Sequence, residues 1–104
     1  MGVLDMAGLE AMIEEATVDA YNYDEQLTGL FTMLEEHLGL PFTTVVLGGE
    51  VTVDGIDLTP DGRIVVALCS RGGMRQSIGI LELPLPSPAP EGAEWIEAHR
   101  YWAG

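Results

Sequence analysis

The chain contains no lysine, and its four arginines, Arg63, Arg71, Arg75 and Arg100, all lie beyond residue 62. Phosphate contacts need clustered basic side chains, so direct nucleic-acid binding is excluded, and so is docking on an anionic membrane surface. A single cysteine, Cys69, cannot make an intramolecular disulfide, which fits a reducing cytosol. No stretch approaches the ~20 apolar residues of a membrane span. The opening Met1-Gly2-Val3-Leu4-Asp5 has no basic segment and no long apolar run, so no signal peptide is read there and a cytoplasmic protein is expected. The two histidines, His37 and His99, have no second His or Cys at metal-ligand spacing, so a zinc site joining them to Cys69 is not expected. Phosphate-loop, nucleophile-elbow and dinucleotide motifs are absent. The carboxylate pairs lack a nucleophile or oxyanion donors beside them, and no enzyme is expected.

What the chain has instead is acid. Thirteen carboxylates precede Arg63: Asp5, Glu10, Glu14, Glu15, Asp19, Asp24, Glu25, Glu35, Glu36, Glu50, Asp54, Asp57 and Asp61. The four later acids balance the four arginines, so the formal charge of −13 belongs to the first 62 residues alone. Like charges crowded without counter-charges destabilise a compact state unless a bound cation or a basic partner offsets them. With 47% apolar residues in 104, the chain can bury the core of one domain, and charge-driven disorder is not expected.

Hydrophobic spacing divides that domain. Leu9, Met12, Ile13, Ala16 and Ala20 predict a helix over residues 6–20, with Asp5 as its cap. Leu27, Leu30, Phe31, Leu34 and Leu38 predict a second over 23–38, opened by Asn22 and Glu25 in a capping-box arrangement and closed by Gly39 and Pro41. From Phe42 the period falls to two. Strands are expected over 43–47, 51–58, 63–69 and 74–82, with a bulge at Gly55, turns at Gly48-Gly49, Thr59–Gly62 and Gly72-Gly73, and the third strand covered on both faces. Such a meander predicts a small SH3-like antiparallel barrel or strongly bent sheet. The proline-rich run 84–90 reads as a stiff extended spacer, and residues 91–102 as a closing helix. The expected class is α+β, one domain over 1–104.

Three acidic clusters stand out: Asp19/Asp24/Glu25, Glu35/Glu36 and Asp54/Asp57/Asp61. Calcium takes six to eight oxygens and suits them chemically. The third cluster places Asp57, Thr59, Asp61 and Gly62 at positions 1, 3, 5 and 6 of an EF-hand loop, but position 12 is Leu68 and no helices flank it. On the second helix Asp24 and Glu35 border the apolar stripe, while Glu25 and Glu36 point away. Glu35 and Glu36 occupy the last turn, where the helix dipole favours cations. A site joining them to Asp54 and Asp57 is therefore one expectation; a solvated acidic surface is the other. Arg71 and Arg75 form the one local basic spot, a natural counterpart for the acidic half within the domain or in a neighbouring copy.

The strings Thr17-Val18-Asp19-Ala20-Tyr21, Asp24-Glu25-Gln26-Leu27 and Leu34-Glu35-Glu36-His37-Leu38-Gly39-Leu40-Pro41-Phe42 resemble those of the CcbP-like small bacterial calcium-binding proteins. The resemblance runs over roughly residues 14–83 and implies Ca²⁺ buffering through carboxylates outside any EF-hand. Asp19, Asp24, Glu25, Glu35 and Glu36 fall inside the matching strings; Asp54 and Asp57 do not. Glu36 stands where the family often has Asp. Beside this reading stand an acidic interaction module or nucleic-acid mimic docking a basic protein partner, and a homo-oligomer pairing acidic and arginine-bearing faces.

Overall fold

The structure is a computed structural model that describes residues 6–104. It contains α1 (Met6–Ala16), α2 (Tyr23–His37), β1 (Phe42–Val46), β2 (Gly49–Leu58), β3 (Val65–Arg71), β4 (Met74–Gly79) and α3 (Glu94–Ala103), an α+β arrangement. The cap expected at Asp5 lies outside the described residues.

Helix α1 stops four residues short of its expected end. The Thr17 hydroxyl turns back to the carbonyl of Ile13 at 2.7 Å, and the Thr17 N–H is shared between Ile13 and Glu14. The β-branched pair Thr17-Val18 and then Asp19 favour leaving the helix over extending it. Helix α2 starts where its sequence signals it: Asn22 Oδ1 accepts the Glu25 N–H at 2.9 Å. Leu27, Leu30 and Leu34 from this helix are almost wholly buried, each contributing about 1.5–3 kcal/mol by leaving water.

The four strands form an antiparallel meander in the order β1-β2-β3-β4. The sheet is open, with β1 and β4 as its edge strands, so the expected small barrel is not closed. A register shift between Val53 and Gly55 supplies the expected bulge. Strand β3 is buried on one face only: Val65, Ala67 and Cys69 face the core, while Leu68 is 38% exposed. Its apolar run had suggested cover on both sides, but all three helices lie on the same side. Helix α2 packs against β2, and α1 and α3 pack on α2 and on each other. The core joins Leu27, Leu34 and Leu38 to Val51, Val53, Val65, Ala67 and, from the C-terminal part, Ile80, Leu83, Trp95 and Ile96.

The proline-rich run is not a free spacer. It lies along the outer edge of β1, where the Thr44 hydroxyl donates to the Pro84 carbonyl at 2.6 Å and Leu85 packs on the core. Turns at 91–93 then clasp the end of α2: the Gly39 N–H reaches the Glu91 carbonyl at 2.7 Å, and the Trp95 ring stacks over His37 at 5.6 Å. Gly92 adopts φ 82° with its Cα against the His37 carbonyl, a place and conformation that exclude a side chain.

Candidate functional site

All eight carboxylates of the three clusters singled out from the sequence are exposed. Asp19, Asp24 and Glu25 line, without converging, a shallow groove of about 410 Å³ at the corner between α1 and α2, floored by Ala16, Ala20 and Gly29. Glu25 is already engaged: its Oε1 accepts the N–H of Tyr21, the residue before the Asn22 cap, at 2.7 Å. These acids sit at the N-terminus of α2, where the positive end of the helix dipole stabilises them as anions and weakens their hold on a cation.

Glu35 and Glu36 lie in the last turn of α2, eleven residues on from Asp24 and Glu25 or about 16 Å along the axis. Strand β2 carries Asp54 and Asp57. Asp57 pairs with Val66 on the face of the sheet away from the helices, and its Oδ1 accepts the Leu58 N–H at 2.8 Å. Asp54 is the extra residue of the bulge and borders a concavity of about 750 Å³ with Leu68, Ser70 and Arg75. The sheet therefore stands between Glu35/Glu36 and Asp57, and the composite site expected from helix end and strand is not assembled. Asp61 is held by its own turn, accepting from the Thr59 hydroxyl and from the Arg63 N–H at 3.1 Å. Those hydrogen bonds, Thr59's foremost, lower its pKa. Among the described residues, no three of His, Cys, Asp and Glu meet as a metal-binding group.

The basic groups do not neutralise this surface. Among the described residues the one ion pair is Arg100 with Glu97, at 3.8 Å between two exposed side chains. The guanidinium of Arg71 lies flat over Gly49, where a side chain would collide with it. His99 is buried and stacks on Trp102 at 5.8 Å, with its Nδ1 lacking a hydrogen-bond partner. Burial, then the Arg100 charge, lowers its pKa below the ordinary value.

A second acidic groove was not visible in the sequence. Glu10, Ile13 and Glu14 of α1 with Thr17 just beyond its end form one stripe, and with Tyr101 and Trp102 of α3 they line a groove of about 670 Å³. The Tyr101 hydroxyl donates to Glu10 Oε2 at 2.9 Å, and the Trp102 Nε1–H to Gln26 Oε1 at 2.9 Å. The Tyr23 ring lies 4.8 Å from that of Trp102. The i, i+3, i+4, i+7 spacing was present in the sequence, but nothing local says that α3 supplies the opposite wall.

Comparison with known proteins found no matching family model, curated protein or solved structure. No described helix is long and apolar enough to cross a membrane.

Proposed function

We propose that the protein is a non-catalytic cation-binding protein that takes up Ca²⁺ through carboxylates outside an EF-hand. One observation carries this reading: among the described residues, no carboxylate before Arg63 has an ion-pair partner, so counter-charge must come from solution. The resemblance of the Thr17–Tyr21, Asp24–Leu27 and Leu34–Phe42 strings to those of CcbP-like proteins supports it. Because the acids are spread out, protein oxygens would fill only part of the coordination shell and water the rest, giving modest affinity. The α2 end with Glu35 and Glu36, where the helix dipole favours a cation, is the first candidate, and the corner lined by Asp19, Asp24 and Glu25 the second.

Calorimetric titration with Ca²⁺, paired with melting in Ca²⁺ and in EDTA, tests the reading. At a concentration 100 times Kd, binding stabilises the fold by about 2.7 kcal/mol. Asp19→Asn/Asp24→Asn and Glu35→Gln/Glu36→Gln then separate the two candidates. Absence of heat and of any Tm change at millimolar Ca²⁺ rejects calcium binding.

A second reading is favoured by the failure of any three acidic groups to converge: the surface docks a basic protein partner, as an acidic interaction module or nucleic-acid mimic. Such association is steered at long range and weakened by salt. Retention of a basic protein at low salt, with release at moderate salt, is its expected signature.

A further inference from the structure

We infer that the groove between α1 and α3 is a receptor for an arginine side chain of a basic partner. This deepens the second reading above and rests on it. A guanidinium is planar, stays charged at any physiological pH, stacks on aromatic faces and pairs with carboxylates through two N–H groups at once. The groove offers paired carboxylates and, in the 36% exposed Tyr101, an aromatic ring open to a ligand, while the Trp102 indole beside it is packed against Tyr23 and His99. Glu10 and Glu14, one helical turn apart, stand on its α1 side with their Cβ atoms about 6 Å from each other. Tyr101 and Trp102 form the other side, and Ile13 and Thr17 lie between.

Two hydrogen bonds hold this arrangement before any ligand arrives. The Tyr101 hydroxyl fixes one oxygen of Glu10 and leaves the other free to accept from a guanidinium. Gln26 fixes the Trp102 indole through its Nε1–H, and the Tyr23 ring backs the same indole from α2. Ring and carboxylate orientations are therefore set in advance, which lowers the ordering cost of binding. The same walls suit a bare divalent ion poorly. Two side-chain carboxylates and the Thr17 and Tyr101 hydroxyls, each already donating a hydrogen bond within the protein, fall short of the six to eight oxygens that calcium takes. Lysine's compact, strongly hydrated ammonium gains less from stacking and from a forked carboxylate pair than arginine does.

The charge of the chain completes the argument. A −13 molecule draws a basic segment from a distance whatever its detailed surface. This groove adds a place where one arginine of that segment is held by shape, whereas the groove at Asp19, Asp24 and Glu25 has no aromatic side chain among its lining residues.

The probe is an end-capped peptide of four Arg-Gly repeats, titrated into the full chain at 50 mM and 150 mM salt while tryptophan emission and calorimetric heat are followed. Saturable binding with a change in tryptophan emission is expected, and the matching Lys-Gly peptide binds several-fold more weakly. Glu10→Gln/Glu14→Gln weakens the Arg-Gly peptide roughly tenfold, whereas Glu35→Gln/Glu36→Gln, with the same change in charge, leaves affinity within about twofold. Both pairs are exposed substitutions, and circular dichroism checks that each variant is folded. Equal losses in the two double variants overturn the groove while leaving general acidic docking intact. Absence of binding by either peptide overturns both.

Discussion

Helices α1 and α2 meet backbone to backbone at Gly29, whose Cα lies against the carbonyl oxygen of Ala16. A methyl group added at Gly29 would overlap that oxygen, and the neighbour that must give way is main chain, not a pliable side chain. Gly29→Ala raises intrinsic helix propensity by about 1 kcal/mol, yet the collision reverses the sign. A net destabilisation of about 1–3 kcal/mol is expected, read as a lower urea midpoint with an unchanged slope. A stability gain in Gly29→Ala would show that the two helices do not pack this closely.

Leu47 poses the opposite case. It is wholly exposed and adopts φ 51°, followed by Gly48 at φ 78°, in the two-residue turn between the paired residues Val46 and Gly49. Positive φ at both positions marks the type I′ hairpin turn, which favours Asn-Gly and penalises a branched apolar residue at the first place. Leu47→Asn should raise stability by about 1 kcal/mol, seen as a higher urea midpoint. No gain would mean that Leu47 is held by a contact outside the isolated chain.

Helix α2 was readable because its signals are local: the leucine stripe, Asn22 with Glu25, then Gly39 and Pro41 all sit within one segment. The hairpin turns and the bulge at Gly55 were readable for the same reason. What escaped depends on distant pairing. The open sheet edge at β1 is lined by Pro84 through the Thr44 hydroxyl, forty residues away, and no local pattern announces that contact. The faces of Asp54 and Asp57 depend on the bulge and on which side the helices choose. Nothing in the sequence around Glu10 points to its partner, Tyr101, which lies 91 residues later.

Cys69 carries a further expectation. Its side chain is 2% exposed, and burial, then the nearby Asp54 carboxylate, raises the pKa of the thiol. Thiolate is the reactive form, so both access and ionisation protect this residue in the folded chain. Labelling by an aromatic disulfide reagent at pH 7.5 should be roughly a hundredfold slower in buffer than in denaturing urea. Comparable rates in the two conditions would place the thiol at the surface.

The most informative pH experiment concerns His99. Its Nδ1 is buried without a partner, and its pKa is pushed down by desolvation first and by Arg100 second. A group protonated more readily in the unfolded chain favours unfolding as pH falls. The contribution of neutral His99 is fully present above the unfolded value near 6.5, and is lost as pH drops from there towards the lowered folded value. The acidic surface responds in the other direction, since protonating crowded carboxylates relieves their repulsion. Subtracting a His99→Phe variant cancels that shared response. The unfolding free energies of the two proteins should differ by a constant above pH 7, and the wild type should fall relative to the variant between pH 6.5 and 5. Removing the unpaired nitrogen also relieves its burial cost, so His99→Phe is expected to be no less stable than wild type below pH 6. Parallel curves over the whole range would mean that His99 titrates as freely in the folded chain as in the unfolded one.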